Sequence, residues 1–181
     1  MTQRRIHQDE YPYFVTFRTK KECLLFEETK YAKLLTDIIV NSGKLKLFDI
    51  LAYQIMPDHI HLLVNSSAPT ERRTRDENKN PLPRVSAPAV FEVSAPAVES
   101  PTISNLIYTI KSYFLNQLRK YHDIPYSIFQ SRFYTRIVNN QRYLKTIILY
   151  IQNNPIKAEL SDKYHQKPYQ YFNWPKIHKL F

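Results

Sequence analysis

Apolar positions recur along this chain with two periods, near two residues and near three and a half. "YFVTFRT" at 13–19 is β-branched and aromatic and predicts a strand. In "ETKYAKLLTDIIVNSG" the residues Leu34, Leu35, Ile38 and Ile39 fall at helical spacing, and Gly43, the only glycine of the chain, is placed to end that helix in a left-handed conformation. "KLFDILAYQIM" (46–56) and "HIHLLVN" (59–65) predict two strands joined by a tight turn at Pro57 and Asp58. "ISNLIYTIKSYFLNQLRKY" (103–121) predicts a helix that leaves Lys111, Arg119 and Lys120 on an exposed face. "RFYTRIV" (132–138) alternates as a strand, with Phe133, Thr135 and Ile137 on one side and Arg132, Tyr134 and Arg136 on the other. "QRYLKTIILYIQNN" (141–154) predicts a last helix, which Pro155 should stop because the residue before a proline resists the α conformation.

The resulting order, β-α-β-β-α-β-α, predicts an α+β fold of the ferredoxin-like split βαβ type: an antiparallel sheet with helices on one face, an extra C-terminal helix, and a Pro- and aromatic-rich tail. One stretch breaks the pattern. Residues 66–101 hold six of the twelve prolines, few large apolar side chains, and "VSAPAV" twice, at 85–90 and 93–98. This composition predicts an inserted, disordered linker. A single domain is then expected from 1–65 and 102–181.

Composition narrows the function. With 181 residues, 43% of them apolar, the chain can fill one core. No apolar run approaches the eighteen or so residues of a membrane span and no secretory leader is evident, so no membrane partner and a cytoplasmic location are expected. Cys23 stands alone, which excludes an intramolecular disulfide and a thiolate zinc cluster. The net charge of +10 favours a polyanion, nucleic acid before anionic lipid. Within the insert, Arg72, Arg73, Arg75, Lys79 and Arg84 cancel Glu71, Asp76, Glu77, Glu92 and Glu99, so the excess belongs to the folded part. Fourteen tyrosines among these cations suit base stacking as well as core packing.

Within "MPDHIHLLV" (56–64), His59 and His61 alternate with Ile60. On a strand they project from one face about 6.5–7 Å apart, a separation from which two imidazoles can converge on one ion. Two hydrogen-bonded core histidines would satisfy the same spacing. A structural zinc site would need further ligands, usually thiolates, that the chain lacks. On the last helix Leu144, Ile147, Ile148 and Ile151 form the core stripe, with Tyr143, Tyr150 and Asn154 beside it. Tyr150 and Asn154, at i and i+4, stack on one face. There a hydroxyl and an amide could serve a phosphodiester and an ion, or Tyr150 could be an ordinary rim residue; spacing alone favours the latter.

The "HIH" triplet, "FQSRFYTRIV" (129–138) and above all "YIQNNPIKAEL" (150–160) resemble the single-tyrosine HUH transposases of insertion sequences, and most closely the REP-associated tyrosine transposases. The resemblance spans the chain except 66–101, an insert not typical of that family. It implies that His59, His61 and Asn154 bind Mg²⁺ or Mn²⁺ and that Tyr150 is the nucleophile. The family cuts single-stranded DNA beside an imperfect hairpin, leaving a 5′-phosphotyrosine link and a free 3′-hydroxyl. Mixed imidazole and amide donors suit Mn²⁺ at least as well as Mg²⁺. DNA contacts are expected from Arg4, Arg5, Lys111, Arg119, Lys120, Arg132 and Arg136, with Tyr134 as the stacking residue. His7, His122, His165 and His178 lack ligand spacing and are read as surface or hydrogen-bonding residues, and Trp174 as packing the tail. A monomer and a homodimer are equally compatible. Two other readings stay open: a hairpin DNA or RNA binder that does not cut, and a metal-dependent phosphodiesterase that uses water.

Overall fold

The computed structural model describes residues 10–67, 102–124 and 126–180. Five strands form one antiparallel sheet: β1 (Tyr13–Arg18), β2 (Phe48–Ile55), β3 (His59–Ser66), β4 (Tyr134–Ile137) and β5 (Gln170–Phe172), in the order β4-β1-β3-β2-β5. The helices are α1 (Thr29–Leu45), α2 (Ile103–Tyr121), α3 (Gln141–Lys157) and the single turn α4 (Trp174–Ile177). The first four strands thus have the order expected of the split βαβ fold. β5, which sequence reading left inside the tail, extends the sheet along the outer edge of β2. Three residues without an alternating apolar pattern carry too little signal for a strand; pairing with Ala52, Tyr53 and Gln54 creates it.

Alternation divides the sheet into two faces. Val15 and Phe17 of β1 and Ile60, Leu62 and Val64 of β3 pack under α1 and α2 with Leu35, Ile39, Leu106, Ile110 and Phe114. Phe14, Leu51, Ala52 and Leu63 face the other way, onto Leu144, Ile147 and Ile151 of α3. Leu51 and Ala52 share that face, although adjacent, because β2 is bulged between Ile50 and Ala52. α1 and α2 therefore cover one face and α3 the other. His59 and His61 alternate with Ile60 and so project on the α3 side.

Two predicted helix ends are corrected. Gly43 does not cap α1 in a left-handed conformation; it lies inside the helix and is buried, and Leu47, at φ 56°, makes the left-handed exit. The glycine is required by proximity instead: a Cβ there would lie 2.9 Å from both Ile50 Cδ1 and the carbonyl oxygen of Phe48. Pro155 does not stop α3, which runs through it to Lys157. The proline removes one N–H, but its ring is buried and the Ala158 N–H still closes onto the Asn154 carbonyl at 3.1 Å. Packing outweighs the local bias of the preceding residue.

β3 extends to Ser66, and Ser67 donates its N–H to Leu47 at 2.8 Å. The rest of the expected linker, 68–101, lies outside the described residues, as do Arg4, Arg5 and His7. Among the described residues no helix is long and apolar enough to cross a membrane.

Candidate active site

Register decides what meets the histidines. On β1, Thr16 pairs with His61 and Arg18 with His59, while Thr16 also pairs with Tyr134 on β4. Partners across a sheet share a face, so Tyr134, Thr16 and His61 form one row beneath α3 and Arg18 with His59 the start of the next. α3 lays Ile147 and Ile151 into the core beside this row, which leaves Tyr150 and Asn154 leaning over it. Phe14, Thr16, Arg18, His59, His61, Tyr134, Thr146, Ile147 and Tyr150 line an open cleft of about 460 Å³.

The polar atoms converge on Nε2 of His61. Nε2 of His59 is 3.1 Å away, the Asn154 amide nitrogen 2.7 Å and the Tyr150 hydroxyl 3.5 Å. Both outer ring nitrogens are occupied: Nδ1 of His59 lies 2.5 Å from Oδ1 of Asp58, and Nδ1 of His61 lies 2.9 Å from the Thr16 hydroxyl. Arg18 reaches Oδ2 of the same carboxylate at 3.3 Å. The His61 ring stacks on Phe14, with centroids 5.6 Å apart, and meets the Tyr150 ring edge-on at 5.0 Å.

Burial, followed by the charges of His59 and Arg18, pushes the His61 imidazole down to about 3, so it is neutral in the physiological range. A neutral ring keeps a lone pair for a ligand role. Burial alone would raise Asp58; the hydrogen bond to His59 and the charges of His59 and Arg18 outweigh it and hold the carboxyl below its ordinary value.

These donors fit a divalent ion. Two cis nitrogens on an octahedral ion with bonds of about 2.1 Å stand about 3 Å apart, and the two Nε2 atoms stand 3.1 Å apart. Rotating the Asn154 amide by half a turn puts its oxygen where its nitrogen now is. No group of three His, Cys, Asp or Glu side chains suited to a metal occurs among the described residues, so this site would depend on that amide.

The other expected contacts are distributed unevenly. Tyr134 lies in the cleft, its hydroxyl accepting a hydrogen bond from Arg136, whose guanidinium sits 5.4 Å from the ring centre. Arg132 is exposed just before β4. Arg119 and Lys120 occupy the last turn of α2, on the opposite side of the sheet from the cleft. Lys111 is not left over for a ligand: its ammonium donates to the carbonyl of Gln130 at 2.7 Å and stands over the rings of Phe17 and Phe133. It holds the segment leading into β4. Sequence reading missed Thr16, Arg18 and Asp58. Alternation along "YFVTFRT" puts Thr16 and Arg18 on one face, but only the strand pairing reveals that this is the histidine face.

A family model described as "Transposase IS200 like" matches residues 7–72. Over that stretch the chain is similar to the IS200-like transposases. The matched stretch carries β1 to β3 with both histidines and ends before α3, so Tyr150 and Asn154 lie outside it. In fold the chain is similar to a REP-associated tyrosine transposase solved bound to a REP hairpin, at a TM-score of 0.64 and 18% identity over 100% of this chain and 88% of that one. A protein from Deinococcus radiodurans R1, provisionally named a transposase, aligns at 15% identity and a TM-score of 0.44 over 84% of this chain and 97% of that one, too remote to bear on the argument. No curated protein matches in sequence.

Proposed function

We propose that this chain is a transposase that cuts and rejoins single-stranded DNA beside a hairpin through a covalent link to Tyr150. The observation that carries this reading is the 3.5 Å separation between the Tyr150 hydroxyl and Nε2 of His61, with Asn154 one helical turn further on over the same ring. A water-using phosphodiesterase would need no phenol there. The similarity to IS200-like transposases over residues 7–72, which hold both histidines, supports the same chemistry.

His59, His61 and Asn154 would hold Mg²⁺ or Mn²⁺. When bound, such an ion supplies positive charge against the scissile phosphate, which an unaided phenol, ionising near 10, attacks poorly. Tyr150 supplies the nucleophile. Its oxygen forms a bond to phosphorus, the P–O3′ bond breaks, and the 3′-oxygen leaves as a hydroxyl, its gained proton balancing the one the phenol loses. The ester on Tyr150 conserves the phosphodiester bond, so a second 3′-hydroxyl can reverse the step without a nucleotide triphosphate. Tyr134, in the cleft and half-exposed, offers a stacking surface for an unpaired base, and Arg132 and Arg136 offer cations for the backbone. The hairpin partner is taken from the resemblance in sequence and from the hairpin bound by the structural relative.

The test is a denaturing gel of the protein mixed with single-stranded hairpin DNA and Mn²⁺. A DNA–protein adduct is expected, lost in Tyr150→Phe and in metal-free buffer. Cleavage without an adduct would indicate hydrolysis by water, and binding with neither would indicate a non-cutting DNA-binding protein.

A further inference from the structure

Four residues outside the expected ligand set surround the histidine pair, and their arrangement assigns them a task. Two Nε2 atoms can serve one cation only if both present lone pairs to it, which requires each ring to carry its proton on Nδ1. In His59 that nitrogen is 2.5 Å from a carboxylate oxygen of Asp58, an acceptor without a proton to offer. In His61 it is 2.9 Å from the Thr16 hydroxyl, which can accept equally well.

Asp58 is not a loosely placed turn residue. Its carbonyl takes the Thr19 N–H at 2.8 Å, and the Thr19 hydroxyl lies 2.9 Å from the same oxygen. The preceding carbonyl, of Pro57, takes the N–H of Phe26 at 3.2 Å, and Thr19 and Phe26 are buried. Arg18 holds the carboxylate's second oxygen. The backbone of the turn is thus tied to the core from two directions while the carboxylate is aimed at one ring nitrogen.

We propose that Asp58 and Thr16 are positioning residues that turn the Nε2 lone pairs of His59 and His61 inward, with Arg18 and Thr19 anchoring Asp58. This rests on the metal-site reading above and extends it from ligands to their supports. A carboxylate on the outer nitrogen of a ligating imidazole both orients the ring and raises its basicity, so the support acts on affinity for the ion before any DNA is present.

The measurement is Mn²⁺ binding to the whole protein without DNA, followed by the electron paramagnetic resonance of the free ion, alongside the thermal midpoint of each variant. Asp58→Ala and Thr16→Val are expected to weaken binding about ten- to hundredfold. Asp58→Asn and Thr16→Ser, which keep an acceptor oxygen, are expected to recover most of it. Tyr150→Phe should bind the ion like the parent protein. If the alanine and valine variants bind Mn²⁺ as tightly as the parent, or if the parent binds none, the proposal is overturned. If affinity falls only in proportion to the loss of thermal midpoint and the conservative variants give no recovery, the residues are merely structural and the proposal also fails. Loss of affinity in these variants together with a parent protein that forms no DNA adduct would leave this assignment standing and remove the transposase reading.

Discussion

The Asn154 amide nitrogen lies 2.7 Å from Nε2 of His61, a residue 93 positions earlier in the chain. This contact joins the last long helix to the central strand of the sheet at the point where His59 and Tyr150 also arrive. Replacing Asn154 by alanine removes a donor atom without touching the core stripe of α3. Asn154→Ala should weaken Mn²⁺ binding at least about tenfold and reduce adduct formation with it, measured by metal titration and by the gel assay. Asn154→Asp, which adds an anionic oxygen at the same reach, should bind the ion at least as tightly as the parent.

Buried neutral, His61 makes the metal-free fold sensitive to acid. An exposed imidazole takes its proton near 6.5, and the folded ring only near 3, so between these values the unfolded chain binds the extra proton. The stability contributed by the neutral ring is therefore complete above about 6.5 and is lost as pH falls toward 3, at about 1.4 kcal/mol per pH unit in between. Urea unfolding at pH 7.5, 6 and 5 in chelator should show this slope. His61→Gln, uncharged throughout, should flatten it.

Gly43 is held by contact rather than by backbone conformation. In an exposed helix alanine would be the better residue, by up to about 1 kcal/mol. Here its Cβ would press on the Phe48 carbonyl at 2.9 Å, which belongs to a strand and has little room to move. Gly43→Ala should therefore destabilise, by roughly 1–3 kcal/mol in urea unfolding. A gain in stability would contradict the close approach of α1 to β2.

Lys111 and Arg132 should separate in their response to salt. The Lys111 ammonium is already engaged by backbone carbonyls before β4, so Lys111→Met should cost roughly 1–2 kcal/mol of stability and leave the salt dependence of DNA binding unchanged. Arg132, exposed beside the cleft strand, should behave oppositely: Arg132→Ala should leave stability intact and reduce the slope of log K against log salt by about 0.7 on single-stranded DNA. Fluorescence anisotropy over a salt series reads both.

Most of the scaffold could be read along the chain because its signals are local. The apolar period of α2 predicted Ile103–Tyr121 to the residue, and alternation around β4 put Tyr134 and Arg136 on one side of the strand. The histidine triplet announced itself for the same reason, since a strand places residues two apart on one face whatever it pairs with. Pro155 and Gly43 misled where tertiary packing reversed a local preference, burying the proline ring within α3 and pressing the glycine against β2. β5 exists only through its partner. By itself the sequence determined the first four strands and the three long helices, their order, and the side of each strand on which the chemistry-bearing residues stand. Only the tertiary structure decided that Thr16, Arg18 and Asp58 stand beside the histidines and that Tyr150 and Asn154 lean over His61, because register between distant strands and the seating of a helix are set by what packs beneath them.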